Sequence, residues 1–172
     1  MPVPIPVIPP NPALRNAQIE LRPWRREDVE ALIAANPPSE ADAFAWLAGE
    51  DERMRSGEGL TLAVLERDGA APLGNVGLRV ADDREVAEFA YTGAPGARGR
   101  GLDTAAVRLL AGWALREWGL ARLQLATLVE DVPSQRVAEQ AGFQREGVLR
   151  SWSEWNGRRL DMVMFSVLPG EL

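Results

Sequence analysis

Residues 60–67, LTLAVLER, are nearly continuous apolar sequence, and after an Asp68-Gly69 step PLGNVGLRV follows at 72–80. A tight hairpin of two strands is the expected result. Upstream, IELRPW at 19–24 reads as a strand, and RREDVEALIAAN at 25–36 places Val29, Leu32 and Ile33 on one helical face. A second helix is expected after the Asn-Pro-Pro break, with Ser39 and Asp42 as a capping-box-like start and Phe44, Trp46 and Leu47 as its apolar residues. EVAEFAYTG at 85–93 forms another strand and runs into a glycine- and arginine-rich stretch. The helix beyond it extends to about Trp118, with Leu102, Ala106, Leu109, Leu110 and Trp113 inward and Gly119 as its stop. Trp113 and Trp118, five residues apart, are expected on different faces. RLQLATLV at 122–129 is a strand and PSQRVAEQAG at 133–142 a helix closed by Gly142. Two tail strands flank Asn156-Gly157, a type I′ signal. With no repeat and no internal linker, this order, with a βαβ unit at its centre, predicts one α/β or α+β domain.

Composition narrows the chemistry. The 172 residues include no cysteine and no histidine, which removes thiolate zinc sites, cysteine nucleophiles and the commonest general base. Proton transfer falls to carboxylates, hydroxyls or water. A net charge of −6 argues against a nucleic-acid surface and mildly favours a cationic small partner. The opening MPVPIPVIPPNP cannot form the apolar helix of a secretory signal, so residues 1–16 are expected as an extended arm ahead of a domain at 17–172. No apolar run reaches the ~18 residues of a membrane span, and a cytoplasmic protein is the expectation.

The stretch GARGRGLDTAAVRLL, residues 96–110, carries the clearest chemical signal. A strand feeding a glycine-rich turn and then a helix brings backbone N–H groups and the positive helix end onto an anion. Gly99 and Gly101 let that anion approach, and Arg98 and Arg100 add charge. A phosphate-bearing ligand is one reading; a plain solvated turn is the other. Neither the Walker A pattern nor G-x-G-x-x-G is present.

Arg98-Gly99-Arg100-Gly101 before an amphipathic helix resembles the pyrophosphate loop of the GNAT acetyltransferase superfamily, whose pattern is Arg/Gln-x-x-Gly-x-Gly/Ala. AEFAY (87–91) resembles that family's glutamate-bearing strand, and SQRVAEQAGF (134–143) its later helix ending in Gly-Phe. The tail from Gly147 looks like that of the branch acetylating ribosomal-protein N-termini and small amines. The likeness spans roughly 17–170. It implies a GNAT fold, with a mixed, mostly antiparallel sheet flanked by about four helices. It also implies N-acyl transfer, most simply of acetyl from acetyl-CoA to a primary amine, on a small molecule or a protein N-terminus, by direct attack in a ternary complex. Succinyl-CoA or another donor, or a coenzyme-binding module without catalysis, are the alternatives. No metal, nucleic acid or membrane is implied, and the oligomeric state stays between monomer and homodimer.

The same resemblance assigns coenzyme contacts to Tyr91, Thr92, Gly93, Arg98, Gly99, Arg100, Gly101, Leu102, Asp103, Thr104, Asp131, Ser134 and Arg136. Three departures stand out. Asp103 occupies a position normally Gly or Ala, and is expected to fold back as the helix N-cap. Asp131 replaces the usual Asn. Only residues 36–39 join the first two helices, which suggests an open acceptor side.

Amine acetylation needs a base, because an alkylammonium with a pKa near 10.4 is only about one part in a thousand neutral at pH 7, a deficit of roughly 4 kcal/mol. Glu88 is the candidate, with Glu154 and Asp161 as fallbacks; a glutamate merely facing solvent is the plain alternative. Backbone N–H groups around Tyr91 to Gly93 are the oxyanion donors. Ser134 or Tyr91 would protonate the leaving thiolate, although Ser134 also reads as a helix-start hydroxyl and Tyr91 as packing. Trp152 and Trp155 flank Glu154, as acceptor-pocket walls or buried strand residues. Residues 134–152 superficially resemble a helix-turn-helix, which Gly147 and the acidic charge disfavour.

Overall fold

The computed structural model describes residues 6–35, 40–81, 85–93 and 99–172. Among these residues eight strands form one sheet: β1 (Leu14–Arg15), β2 (Ile19–Pro23), β3 (Gly59–Glu66), β4 (Gly74–Val80), β5 (Val86–Gly93), β6 (Arg122–Leu128), β7 (Gln144–Trp155) and β8 (Arg158–Val167). Their spatial order is β1-β2-β3-β4-β5-β6-β8-β7. Every neighbouring pair is antiparallel except β5–β6. A parallel pair needs a crossover, and α3 (Leu102–Trp113) supplies it. The other helices are α1 (Val29–Ala35), α2 (Glu40–Ser56) and α4 (Val132–Gln140). This mixed, mostly antiparallel sheet with four α-helices is the predicted architecture.

The alternation along β5 divides the molecule. Ala87 and Phe89 are buried with Leu102, Ala106, Val107, Leu110 and Trp113 of α3, and Phe89 meets Phe143 edge-on at 5.9 Å. A smaller cluster of Val29, Leu32 and Ala43, with Trp24 and Phe44 against it, seats α1 on α2. Arg22 of β2 grips Asp28 through two hydrogen bonds of 2.7 and 2.9 Å, tying the sheet to the turn before α1. Residues of the proline-rich arm join the fold: Val7 is buried, and its N–H donates to the Met54 carbonyl at 2.7 Å.

Several expectations need correction. Trp113 and Trp118 are in contact, with ring centroids 5.7 Å apart. Residues Ala114–Trp118 form a π-helical turn, whose wider i→i+5 repeat brings positions five apart together. Residues 144–155 are strand, which removes the helix-turn-helix reading. Trp152 and Trp155 are 55% and 69% exposed, because β7 is the edge strand and its register shifts between Leu149 and Ser153. The connection at 36–39, with the expected Ser39 cap, lies outside the described residues. Among the described residues, no helix is long and apolar enough to cross a membrane.

Candidate active site

The parallel strands β5 and β6 pair over three positions only, ending at Glu88 opposite Gln124. Farther along, β5 remains bound to β4 as far as Gly93, while β6 remains bound to β8 as far as Leu128. The sheet therefore splits down its middle. Glu85 offers its carbonyl to the Ala121 N–H on the β6 side, and the Thr92 carbonyl faces Gly74 on the β4 side. Strand alternation thus turns the main-chain groups of Tyr91 and Gly93 toward the split, where among the described residues no strand pairs with them.

The glycine stretch leads into α3 at the mouth of this split. Gly99 and Gly101 have φ of +73° and +74°, a left-handed conformation that a side chain would strain, and a β-carbon at either would meet open space. Gly101 is the residue at the N-cap position, so the helix starts at Leu102 and Asp103 lies inside its first turn. Asp103 is thus not the backbone N-cap expected: the left-handed glycine turns the chain two residues earlier. Its carboxylate lies against the end of β5, where a β-carbon on Gly93 would be 2.6 Å from Oδ1. Leu102 is buried in the core, and the Thr104 hydroxyl reaches Gln140 of α4 at 3.4 Å. Arg100 is ion-paired with Glu66 of β3. Arg98 lies outside the described residues. A groove of about 520 Å³ continues from Gly101 and Thr104 along α3, past Arg108 and Arg116.

Across the split, Asp131 caps α4. Its carboxylate accepts the Ser134 N–H at 3.1 Å and the Ser134 hydroxyl at 2.7 Å. That role accounts for an aspartate where the family usually has asparagine: both oxygens are used as acceptors. The Ser134 hydroxyl also faces Tyr91. Burial pushes the Tyr91 hydroxyl above its usual pKa of 10.0; Ser134 opposes this, and the Asp103 and Asp131 carboxylates reinforce it. Tyr91 is therefore a protonated phenol at neutral pH. Arg136 and Thr92 are exposed.

Glu88 projects from the opposite face of β5, beside α2. Its cross-strand partner Arg79 lies 3.5 Å away, and its side chain is 41% exposed. Two clefts, each of about 370 Å³, meet at this carboxylate; both include Arg53 and Arg79, one reaching Thr61 and Asn75 and the other Glu58 and Gln124. The fallback carboxylates have structural partners: Glu154 accepts the Gly157 N–H and Asp161 the Ser151 N–H, each at 2.7 Å, within the β7–β8 hairpin. The fold thus gathers Tyr91, Ser134, Asp131 and Asp103 on one face and sets Glu88 on the other, joined through the split.

Sequence reasoning missed Glu50 and Arg53 of α2. Glu50 is 4% exposed and pairs with Arg53 at 2.7 Å. A signal was present: Ala43, Leu47, Glu50 and Met54 share one face of α2, so a carboxylate interrupts an apolar stripe.

Comparison with known proteins identifies the class. The model of the acetyltransferase (GNAT) domain matches residues 18–144. YdaF of Bacillus subtilis strain 168, whose ribosomal N-acetyltransferase activity is a provisional assignment, is 31% identical over 94% of this chain and 88% of its own. The uncharacterized N-acetyltransferase p20 of Bacillus licheniformis is 27% identical over 92% of this chain and 90% of its own. Mycobacterium smegmatis RimJ, solved with a coenzyme A disulfide, superimposes with a TM-score of 0.80 at 22% identity, covering 90% of this chain and 83% of RimJ. The chain belongs to the GNAT acetyltransferase family. It is, accordingly, an N-acetyltransferase of the acetyl-CoA-dependent kind.

Proposed function

We propose that this protein moves an acetyl group from acetyl-CoA to a primary amine by direct attack, with Glu88 as the base. The observation that carries the reading is the split between β5 and β6. It leaves Tyr91 and Gly93 with main-chain groups to offer an extended, amide-bearing chain, as an added strand would use them. The residues present fit coenzyme A. Its pantetheine amides match the β5 edge, its pyrophosphate the first turn of α3 after Gly99 and Gly101, and its nucleotide end the groove with Arg108 and Arg116. Acetyl-CoA supplies a thioester carbonyl open to attack.

Each protein group then has a task. Glu88 takes the proton from the incoming ammonium, directly or through water, from the α2 side of the sheet. The β5 edge directs N–H groups at the carbonyl oxygen. Tyr91, still protonated at neutral pH, turns its one hydroxyl hydrogen from Ser134 to the departing sulfur. Asp103 adds a negative charge in the first turn of α3, balanced by the positive helix end. Calorimetric titration with acetyl-CoA, succinyl-CoA and free coenzyme A tests the coenzyme site; micromolar binding is expected, strongest for acetyl-CoA. Absence of binding to all three would remove the transferase reading.

A further inference from the structure

The cleft reaching Thr61 and Asn75 is lined by two guanidinium groups and one carboxylate, with a second carboxylate, Glu50, buried behind Arg53. Arg53 of α2 and Arg79 of β4 line it, with Glu88 as its one carboxylate among the described residues. Asn75 adds an amide to the lining. In the adjoining cleft Glu58 brings the charges to two against two. An acceptor with several cationic nitrogens would meet guanidinium groups wherever its first nitrogen reached Glu88.

Arg53 is also held in place. Its Nη1 lies 2.7 Å from Oε1 of Glu50, whose side chain is 5% exposed, while the Arg53 side chain is 38% exposed. The Thr61 hydroxyl and main-chain N–H also approach the Glu50 carboxylate, which the acetyl-transfer steps do not use. Anchoring Arg53 gives it a role. A guanidinium has five N–H donors, and one contact to Glu50 leaves others for the cleft.

From this arrangement we propose that the cleft selects an amine bearing an anionic group, carboxylate or phosphate, a few bonds from its nitrogen. Arg53 is the main partner of the anion, Arg79 assists from β4, and Glu50 positions Arg53. The inference rests on the amine-acetylating reading above and narrows its acceptor. With the nitrogen at Glu88 and the anion at Arg53, both acceptor charges meet opposite charges, and a planar fork suits either oxyanion.

The test compares β-alanine, 3-aminopropyl phosphate, β-alaninamide and 1,3-diaminopropane. Each is titrated into coenzyme A-loaded protein and assayed for acetylation. One of the two anionic probes is expected to bind at least tenfold tighter than the amide, and the better one identifies the oxyanion; the diamine should bind weakest. Arg53→Gln should raise the KM of that probe about tenfold, leave the amide within twofold, and show the same pattern in the titration. Glu50→Gln should raise the same KM several-fold with kcat unchanged, which a general loss of structure would not do. Arg53→Lys, which keeps the charge without the fork, should fall between, and it carries the comparison if Arg53→Gln does not fold. Equal binding of acid and amide, preference for the diamine, or an equal loss for both probes in Arg53→Gln would overturn the proposal. Failure of acetyl-CoA to bind is a separate result that strikes the transferase reading, and the same probes titrated into the protein alone then decide the charge preference.

Discussion

Ser134 gives both its amide and its hydroxyl hydrogen to a single carboxylate, that of Asp131, at 3.1 and 2.7 Å. Replacing Asp131 by Ala should therefore cost about 1 kcal/mol, lowering the melting temperature by about 2–4 °C. Asp131→Asn keeps an acceptor for the cap and removes a negative charge beside the split. Its stability should stay within about 0.5 kcal/mol of the parent, while acetyl-CoA binds more tightly. Thermal denaturation and calorimetry check the two halves of this expectation.

Glu88→Gln should lower kcat by about 10²–10⁴-fold at neutral pH. The acetyl-CoA dissociation constant should hardly change, because Glu88 lies on the face of β5 opposite Tyr91 and Ser134. Initial rates beside calorimetry separate the two effects. A parallel loss of coenzyme affinity would show that Glu88 supports the split and does not serve the amine.

Tyr91→Phe tests the proton donor. Burial and the nearby carboxylates keep the phenol protonated, so the parent should show no alkaline loss of rate from Tyr91 below pH 10. The variant should lose about 10- to 100-fold in kcat. A smaller loss is expected with a donor thioester of lower leaving-group pKa, since a better leaving group needs less help. Equal losses with both donors would assign Tyr91 to packing.

Glu146 of β7 carries an acid-sensitive link. The Arg122 guanidinium and the Ser166 hydroxyl hold its carboxyl down, from 4.5 to about 2. A depressed folded pKa contributes stability that is complete above the unfolded value of 4.5 and is lost as pH falls toward about 2. The Glu146 side chain is 43% exposed, so screening limits the effect to about 1 kcal/mol or less. Urea denaturation of parent and Glu146→Gln should differ at pH 6 and converge near pH 2.

Glu66→Gln should strengthen coenzyme binding. Arg100 stands at the start of α3 but is paired with Glu66. Removing the carboxylate leaves that cation for the pyrophosphate, for an expected gain of about two- to fivefold in affinity at low salt that fades at high ionic strength.

Much of this could be read along the chain. Gly99 and Gly101 announced a bare-backbone turn, Asn156-Gly157 a hairpin, and the apolar spacing after Gly101 the crossover helix. What escaped depended on neighbours distant in sequence. Asp103 read as a cap because local residue preference favours one, yet the glycine before Leu102 sets the start of α3. The contact between Trp113 and Trp118 follows from a π turn that 3.6-residue periodicity cannot foresee. Glu50 and Arg53 looked like ordinary helix charges until β3 and β4 brought Thr61, Asn75 and Arg79 beside them. The split itself had no local signal, since both strands carry sound β sequence; it arises from where their pairing stops.

The parting of β5 and β6 makes the protein one strand short by design. Its sheet is a zip left open beyond Glu88, and in the proposed binding mode the molecule that closes it is the one consumed at every turnover. In that mode substrate and scaffold would be the same object for as long as the thioester is bound. Hydrogen exchange at Tyr91 and Gly93 should slow when coenzyme A fills the gap and recover when it leaves. The enzyme would cycle between a seamed and an open sheet as it works, its stability rising and falling with the charge of acetyl donor in the cell.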